Sequence, residues 1–143
     1  MNRDVIIQEA RRAHGSFWHP TSDEGTGDRQ AAAVTQAWQV AVTAMPDVVK
    51  EVQVASCLTE RIDVVDRLEG VAYELKVSGK NPHHEFYRDV FKVVAYNELG
   101  GGNIQLFVFL TEASAAKRLS AGLAAFVTSC GNRLGFEVSV VGL

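Results

Sequence analysis

The chain has 143 residues, 47% of them hydrophobic and 22% charged, with a formal net charge of −3 at pH 7. That length suits one domain with a real core, and the mild acidity excludes a global attraction to polyanions, so nucleic acid would have to meet a local basic patch. The N-terminal "MNRDVIIQEARRAHG" interleaves charge unlike a signal peptide, and no apolar run nears the about 20 residues of a membrane span, so a cytoplasmic protein with no membrane partner is expected.

Residues 4–14 have helical spacing, with Gly15 as a stop. "SFWHPTSDEGTGD" reads as a loop, and Trp18 within it as a cover for the core edge. Asp28 is placed to cap a second helix, "RQAAAVTQAWQVAVTAM", which ends before Pro46 and is apolar on several sides. Three alternating, Val-rich stretches at about 50–57, 60–68 and 71–78 read as strands. Pro82 precedes a strong helix, "HHEFYRDVFKVVAYNEL", closed by Gly100 to Gly102. "NIQLFVFL" reads as a strand covered on both faces, "EASAAKRLSAGLAAFVTSCGNRL" as a helix and "FEVSVVGL" as the last strand. The expected architecture is a single α/β domain over 1–143, with a mixed central sheet flanked by helices. Its final strand–helix–strand crossover should be parallel and right-handed. Cys57 and Cys130 read as free, packed thiols in a reducing compartment. The four histidines show no paired zinc spacing.

The chemistry concentrates in "RIDVVDRLEGVAYELKVSGKN", residues 61–81. A two-residue turn at Glu69-Gly70 pairs Leu68 with Val71, which sets Val65 opposite Glu74 and Asp63 opposite Lys76. One face then carries Arg61, Asp63, Val65, Glu74 and Lys76. The other carries Ile62, Val64, Tyr73, Leu75 and Val77, with Asp66 near its end. Asp63 and Glu74 become diagonal neighbours about 7 to 8 Å apart at the backbone, within reach of a shared ion bound at about 2.0 to 2.1 Å. Hard carboxylate oxygens suit Mg²⁺, with Mn²⁺ as a substitute. A hairpin whose wet face carries cross-strand ion pairs accounts for the same residues without function.

"RIDVV", a tight turn and "YELKVSG", inside an α-β-β-β-α-β order over about residues 28–111, resemble the PD-(D/E)XK phosphodiesterase superfamily. Its members include restriction endonucleases, Holliday-junction resolvases and RecB-type nucleases. The resemblance implies a restriction-endonuclease-like α-β-β-β-α-β core with an extra C-terminal α-β, and a Mg²⁺-dependent nuclease. DNA is its expected substrate, in a restriction, repair or mobile-element setting. It places the metal-binding aspartate on Asp63, the second acidic ligand on Glu74, the catalytic lysine on Lys76 and an inner-shell carbonyl on Leu75. Two departures stand out. The helix before the strands offers Gln30, Gln36 and Gln39 but no Glu, leaving Asp28 or Glu9 as outer acids. "KVVAY", Lys92 to Tyr96, has Lys where RecB-like members carry Gln. A noncatalytic relative that binds nucleic acid or protein is the alternative.

His84, Arg88 and Lys92 fall at i, i+4 and i+8 on the helix after the hairpin, and Tyr96 continues the row. With Lys80 and Asn81 at the mouth between strand and helix, they form a candidate phosphate-contacting stripe. Arg11, Arg12 and His14 read as ordinary surface, and Asp89 and Glu112 as surface or helix-capping charges. The apolar last strand and the lack of a separate recognition domain point to a second copy or a larger protein as partner.

Overall fold

The computed structural model describes residues 1–19, 26–78 and 81–143. Its elements run α1 (Asn2–Phe17), α2 (Thr26–Val42), β1 (Val48–Gln53), β2 (Arg61–Asp66), β3 (Val71–Lys76), α3 (Pro82–Leu99), β4 (Leu106–Thr111), α4 (Ala113–Arg133) and β5 (Glu137–Gly142). The five strands form one sheet in chain order. β1–β2 and β2–β3 are antiparallel; β3–β4 and β4–β5 are parallel. A short turn suffices for each antiparallel step, whereas each parallel step needs a long crossover, which α3 and α4 supply. The expected α/β architecture with a mixed sheet is therefore present. No helix among the described residues is long and apolar enough to cross a membrane.

Each face of the sheet is covered. Ile6, Ile7 and Ala10 of α1 and Val34, Trp38 and Val42 of α2 pack on Val64, Tyr73, Leu75, Val108 and Leu110. Phe86, Val90 and Val93 of α3 and Leu119 and Leu123 of α4 pack on Val65, Ala72, Phe107 and Phe109. The period of two along β3 and β4 sorts these side chains between the cores. Trp38 joins the first core with its indole N–H satisfied, donating to the Ile6 carbonyl at 3.1 Å.

The alternation fails at one level. Val48 and Val64 belong to the α1/α2 side, yet Val52, Ile62 and Val65 belong to the α3/α4 side. Ile62 therefore does not share a face with Val64, contrary to strict alternation. The cause lies in β1, where Glu51 has φ +52°. A left-handed residue in mid-strand rotates the rest of the strand, and for a non-glycine it costs about 1 to 2 kcal/mol.

Several boundaries differ from expectation. α1 continues through Gly15 to Phe17, because an internal glycine costs only about 1 kcal/mol and tertiary packing outweighs it. α2 starts two residues before Asp28, which lies exposed in the first turn instead of capping it. The three meander strands are shorter than their alternating patterns. Cys57 is exposed rather than packed, and the side chain of Cys130 lies outside the described part of the chain. Trp18 does pack against the edge of the α1/α2 core.

The β2–β3 turn spans Arg67–Gly70, four residues rather than two, since Asp66 pairs with Val71. Asp66 is fully buried and organises this turn. Its Oδ1 accepts from the amides of Leu68 and Glu69 at 3.0 Å each, and its Oδ2 accepts from Asn2 Nδ2 at 2.9 Å. Gly70 closes the turn at φ +68°, where a side chain would be strained. Asp66→Ala should lower stability by about 2 to 4 kcal/mol, since hydrogen bonds to a charged group contribute about 1.5 to 3 kcal/mol. Chemical denaturation measures this, and the Asp63 end of β2 should be unaffected.

Candidate functional site

The four-residue turn moves the register by two. Val64 pairs with Tyr73 and Val65 with Ala72, so continuing the ladder sets Asp63 directly opposite Glu74, not Lys76. The change is even, so Asp63 and Glu74 still share a face, and they stand closer than diagonal partners. Past Val64 the strands part into a fork held by side chains. Leu75 N–H donates to Asp63 Oδ2 at 3.0 Å, and Asp63 N–H donates to Glu74 Oε1 at 3.3 Å. Each carboxylate thus satisfies an amide of the facing strand. The N–H and C=O of one residue face the same neighbouring strand, so the Leu75 carbonyl also points into the fork. Asp66 lies at the other end of β2, engaged with α1 and the turn.

On the α3 side, Glu74 is fully buried, and so is Asp89; Lys92 is 4% exposed. Lys92 Nζ lies 2.9 Å from Glu74 Oε1 and 3.1 Å from Asp89 Oδ1. Lys76, a quarter exposed, has its ammonium 3.9 Å from Glu74, 3.8 Å from Asp89 and 3.6 Å from Glu85. It leans toward α3 instead of standing across from Asp63. Asp63, Glu74 and Asp89 thus outnumber Lys76 and Lys92. Burial, then the charges of Asp63 and Asp89, pushes the Glu74 carboxyl well above the usual carboxylate range. Burial likewise raises Asp89. The Lys76 and Lys92 ammoniums are raised because their acidic neighbours overcome the opposing effect of burial. Glu74 Oε2 is buried without a hydrogen-bond partner.

The expected stripe on α3 divides. His84 and Arg88 are exposed, Arg88 within 4.0 Å of Glu85, and Asn81 is exposed at the helix entry with φ +46°. Lys80 lies outside the described residues. Lys92 is not a surface phosphate contact; it is the inward cation of the site. Tyr96 is half-buried against the α3/α4 core, its ring so close to Gly102 that a Cβ there would collide with it. The reason is geometric: four residues advance a helix by about 40° beyond a full turn, so the row winds from solvent into the interior.

Asp89, expected at the surface, is at the centre of the charges. Its signal is present in the sequence, because Phe86, Asp89, Val90 and Val93 fall at i, i+3, i+4 and i+7, the spacing of a buried stripe. Gln39 and Glu51 also belong to the site. Gln39 Nε2 donates to Glu51 Oε1 at 2.7 Å and to the Asp63 carbonyl at 3.0 Å, a long-range arrangement with no local sequence signal. Of the candidate outer acids, Glu9 pairs with Arg12 at 2.7 Å and Asp28 is exposed on α2. Glu112 half-buries at the start of α4, its Oε1 accepting from Ser114 Oγ at 3.0 Å. Among the described residues, no three His, Cys, Asp or Glu side chains are grouped to hold a metal ion.

Both buried acids are raised, so the fold favours their protonated forms. Their stabilising contribution is present below the ordinary carboxylate range and is lost as pH rises through the raised values. Lys92 offsets that loss. Lys92→Met should lower stability by about 3 to 5 kcal/mol in mildly alkaline buffer, because it strands buried carboxylates. The deficit should shrink as pH falls and those acids protonate, which urea melts across a pH series would record. No protein-family model, curated protein or solved structure matches this chain.

Proposed function

We propose that this chain is a divalent-metal-dependent phosphodiesterase of the PD-(D/E)XK type that cleaves nucleic acid, with DNA as the preferred substrate. The observation that carries the reading is the fork: Asp63 and Glu74 face each other beside Lys76, and buried Glu74 Oε2 has no hydrogen-bond partner. The α-β-β-β-α-β order around it, with a C-terminal α-β, fits the same reading.

The donor set suits Mg²⁺ or Mn²⁺: two carboxylates and the Leu75 carbonyl are hard oxygens. Asp63, Glu74 and Leu75 would hold the ion, which when bound lowers the pKa of water and draws charge from a scissile phosphate. The protein's own groups carry the remaining work. The Lys76 ammonium is placed to stabilise the negative charge that the phosphate gains in the transition state. Lys92 restrains the Glu74 carboxylate through Oε1, leaving Oε2 for the ion. His84, Arg88 and Asn81 offer exposed contacts for the substrate backbone next to the fork, and the same reading gives Lys80 that role.

One observation favours a second reading. The Lys92 ammonium already sits 2.9 Å from Glu74, as an internal counter-ion would in a noncatalytic, nuclease-fold binding module. Metal titration and plasmid nicking separate the two. On the nuclease reading the wild type binds Mn²⁺ and nicks plasmid only with metal. Asp63→Ala then loses Mn²⁺ binding, whereas Lys76→Ala keeps Mn²⁺ affinity within about threefold and loses about 10² to 10³ in kcat. Nucleic-acid binding with neither Mn²⁺ binding nor nicking would instead establish the binding module.

A further inference from the structure

Glu51 holds φ +52° in the middle of β1, a conformation uncommon for any residue but glycine. Such strain persists where the surroundings over-determine it, and it gathers at functional sites. The flanking residues do not require it, since Lys50 and Val52 keep their partners Val64 and Ile62. What fixes Glu51 is its side chain. Gln39, 4% exposed, bonds the Glu51 carboxylate and the Asp63 carbonyl from the same amide nitrogen. The buried amide thus ties a strained acid to the backbone of the fork.

Glu51, Gln39, Lys76 and Ser78 border one open cavity of about 330 Å³, with the backbone of Leu75 at its wall. At about 30 Å³ per molecule, that space holds several waters. Its polar rim opposes a carboxylate to the ammonium proposed to act on the phosphate. Glu51 is exposed, so solvent or substrate reaches it, and Gln39 leaves its second carboxylate oxygen open.

We infer that Glu51 is a positioning residue of the proposed phosphodiesterase: its carboxylate orients water, including water of the hydrated cation, in the cavity beside Lys76. This role rests on the metal-dependent reading of the fork. The strain provides a discriminating substitution, because Glu51→Gly keeps the backbone angle at no steric cost and removes only the carboxylate. Glu51→Gln keeps the strain and the shape while removing the charge.

Three measurements on both variants test this: thermal stability without metal, Mn²⁺ affinity by calorimetry, and metal-dependent nicking with kcat and KM resolved. Glu51→Gly should melt at or above the wild-type temperature, and Glu51→Gln close to it. Both should bind Mn²⁺ about three- to tenfold more weakly and lose at least tenfold in kcat with KM little changed. An active wild type with either variant within twofold of it in Mn²⁺ affinity and kcat overturns the role of Glu51 and leaves the nuclease reading standing. A Glu51→Gly protein that melts well below wild type makes the residue structural and also overturns it. A wild type that neither binds Mn²⁺ nor nicks overturns both.

Discussion

The fold turns on a local failure of sheet pairing. Where β2 and β3 part, two amides would otherwise lack partners, and a buried unsatisfied amide costs about 1 to 3 kcal/mol. Asp63 and Glu74 supply the missing acceptors. Carboxylates in this position are therefore both structural and chemical: they close the gap electrically while keeping it open sterically. An apolar pair would leave the amides unsatisfied, and a continuous ladder would leave no room for a ligand. The left-handed Glu51 on β1 belongs to the same constraint, because the β1–β2 ladder is also interrupted at the level of Asp63.

Burying that arrangement needs cations in the same space. α3 delivers Lys92 from one side, and β3 delivers Lys76 from its open end. The two differ in a way that matters for their roles. Lys92 is enclosed and makes close ion pairs, so its charge is committed to holding Glu74 and Asp89. Lys76 keeps longer distances of 3.6 to 3.9 Å from three carboxylates and is a quarter exposed. A cation that is attracted by several partners but bound closely by none can turn toward an incoming anion at small cost.

Much of this is legible in the sequence, for physical reasons that can be named. Val-rich alternation fixes which residues of β2 and β3 share a face, so Asp63 and Glu74 can be grouped without coordinates. Their offset cannot be read, because turns of two and four residues keep the same parity. Asp66 decides between those turns by accepting amides two and three residues ahead, and an aspartate can equally cap, pair or ligate. On α3 the basic row reads as one face, although a spacing of four winds around the helix. Asp89 is visible by the apolar spacing of its neighbours, but a charged residue in such a stripe conflicts with composition-based expectation. Glu51 and Gln39 meet across 12 residues of sequence through tertiary packing alone.

The glycine corner after α3 has a mechanical bearing on the charges. A Cβ on Gly100 would strike the Val54 carbonyl, and one on Gly102 the Tyr96 ring, so the C-terminal end of α3 is wedged against both the sheet edge and its own following loop. A helix pinned at one end moves as a rod, and Lys92, Asp89 and Glu85 ride on it at successive turns from the pin. Each residue is about 1.5 Å of travel, comparable to the slack in an ion pair. Crowding at that distant corner would therefore act like a set-screw on the site, sliding three charges together past two fixed on the sheet without touching any of them.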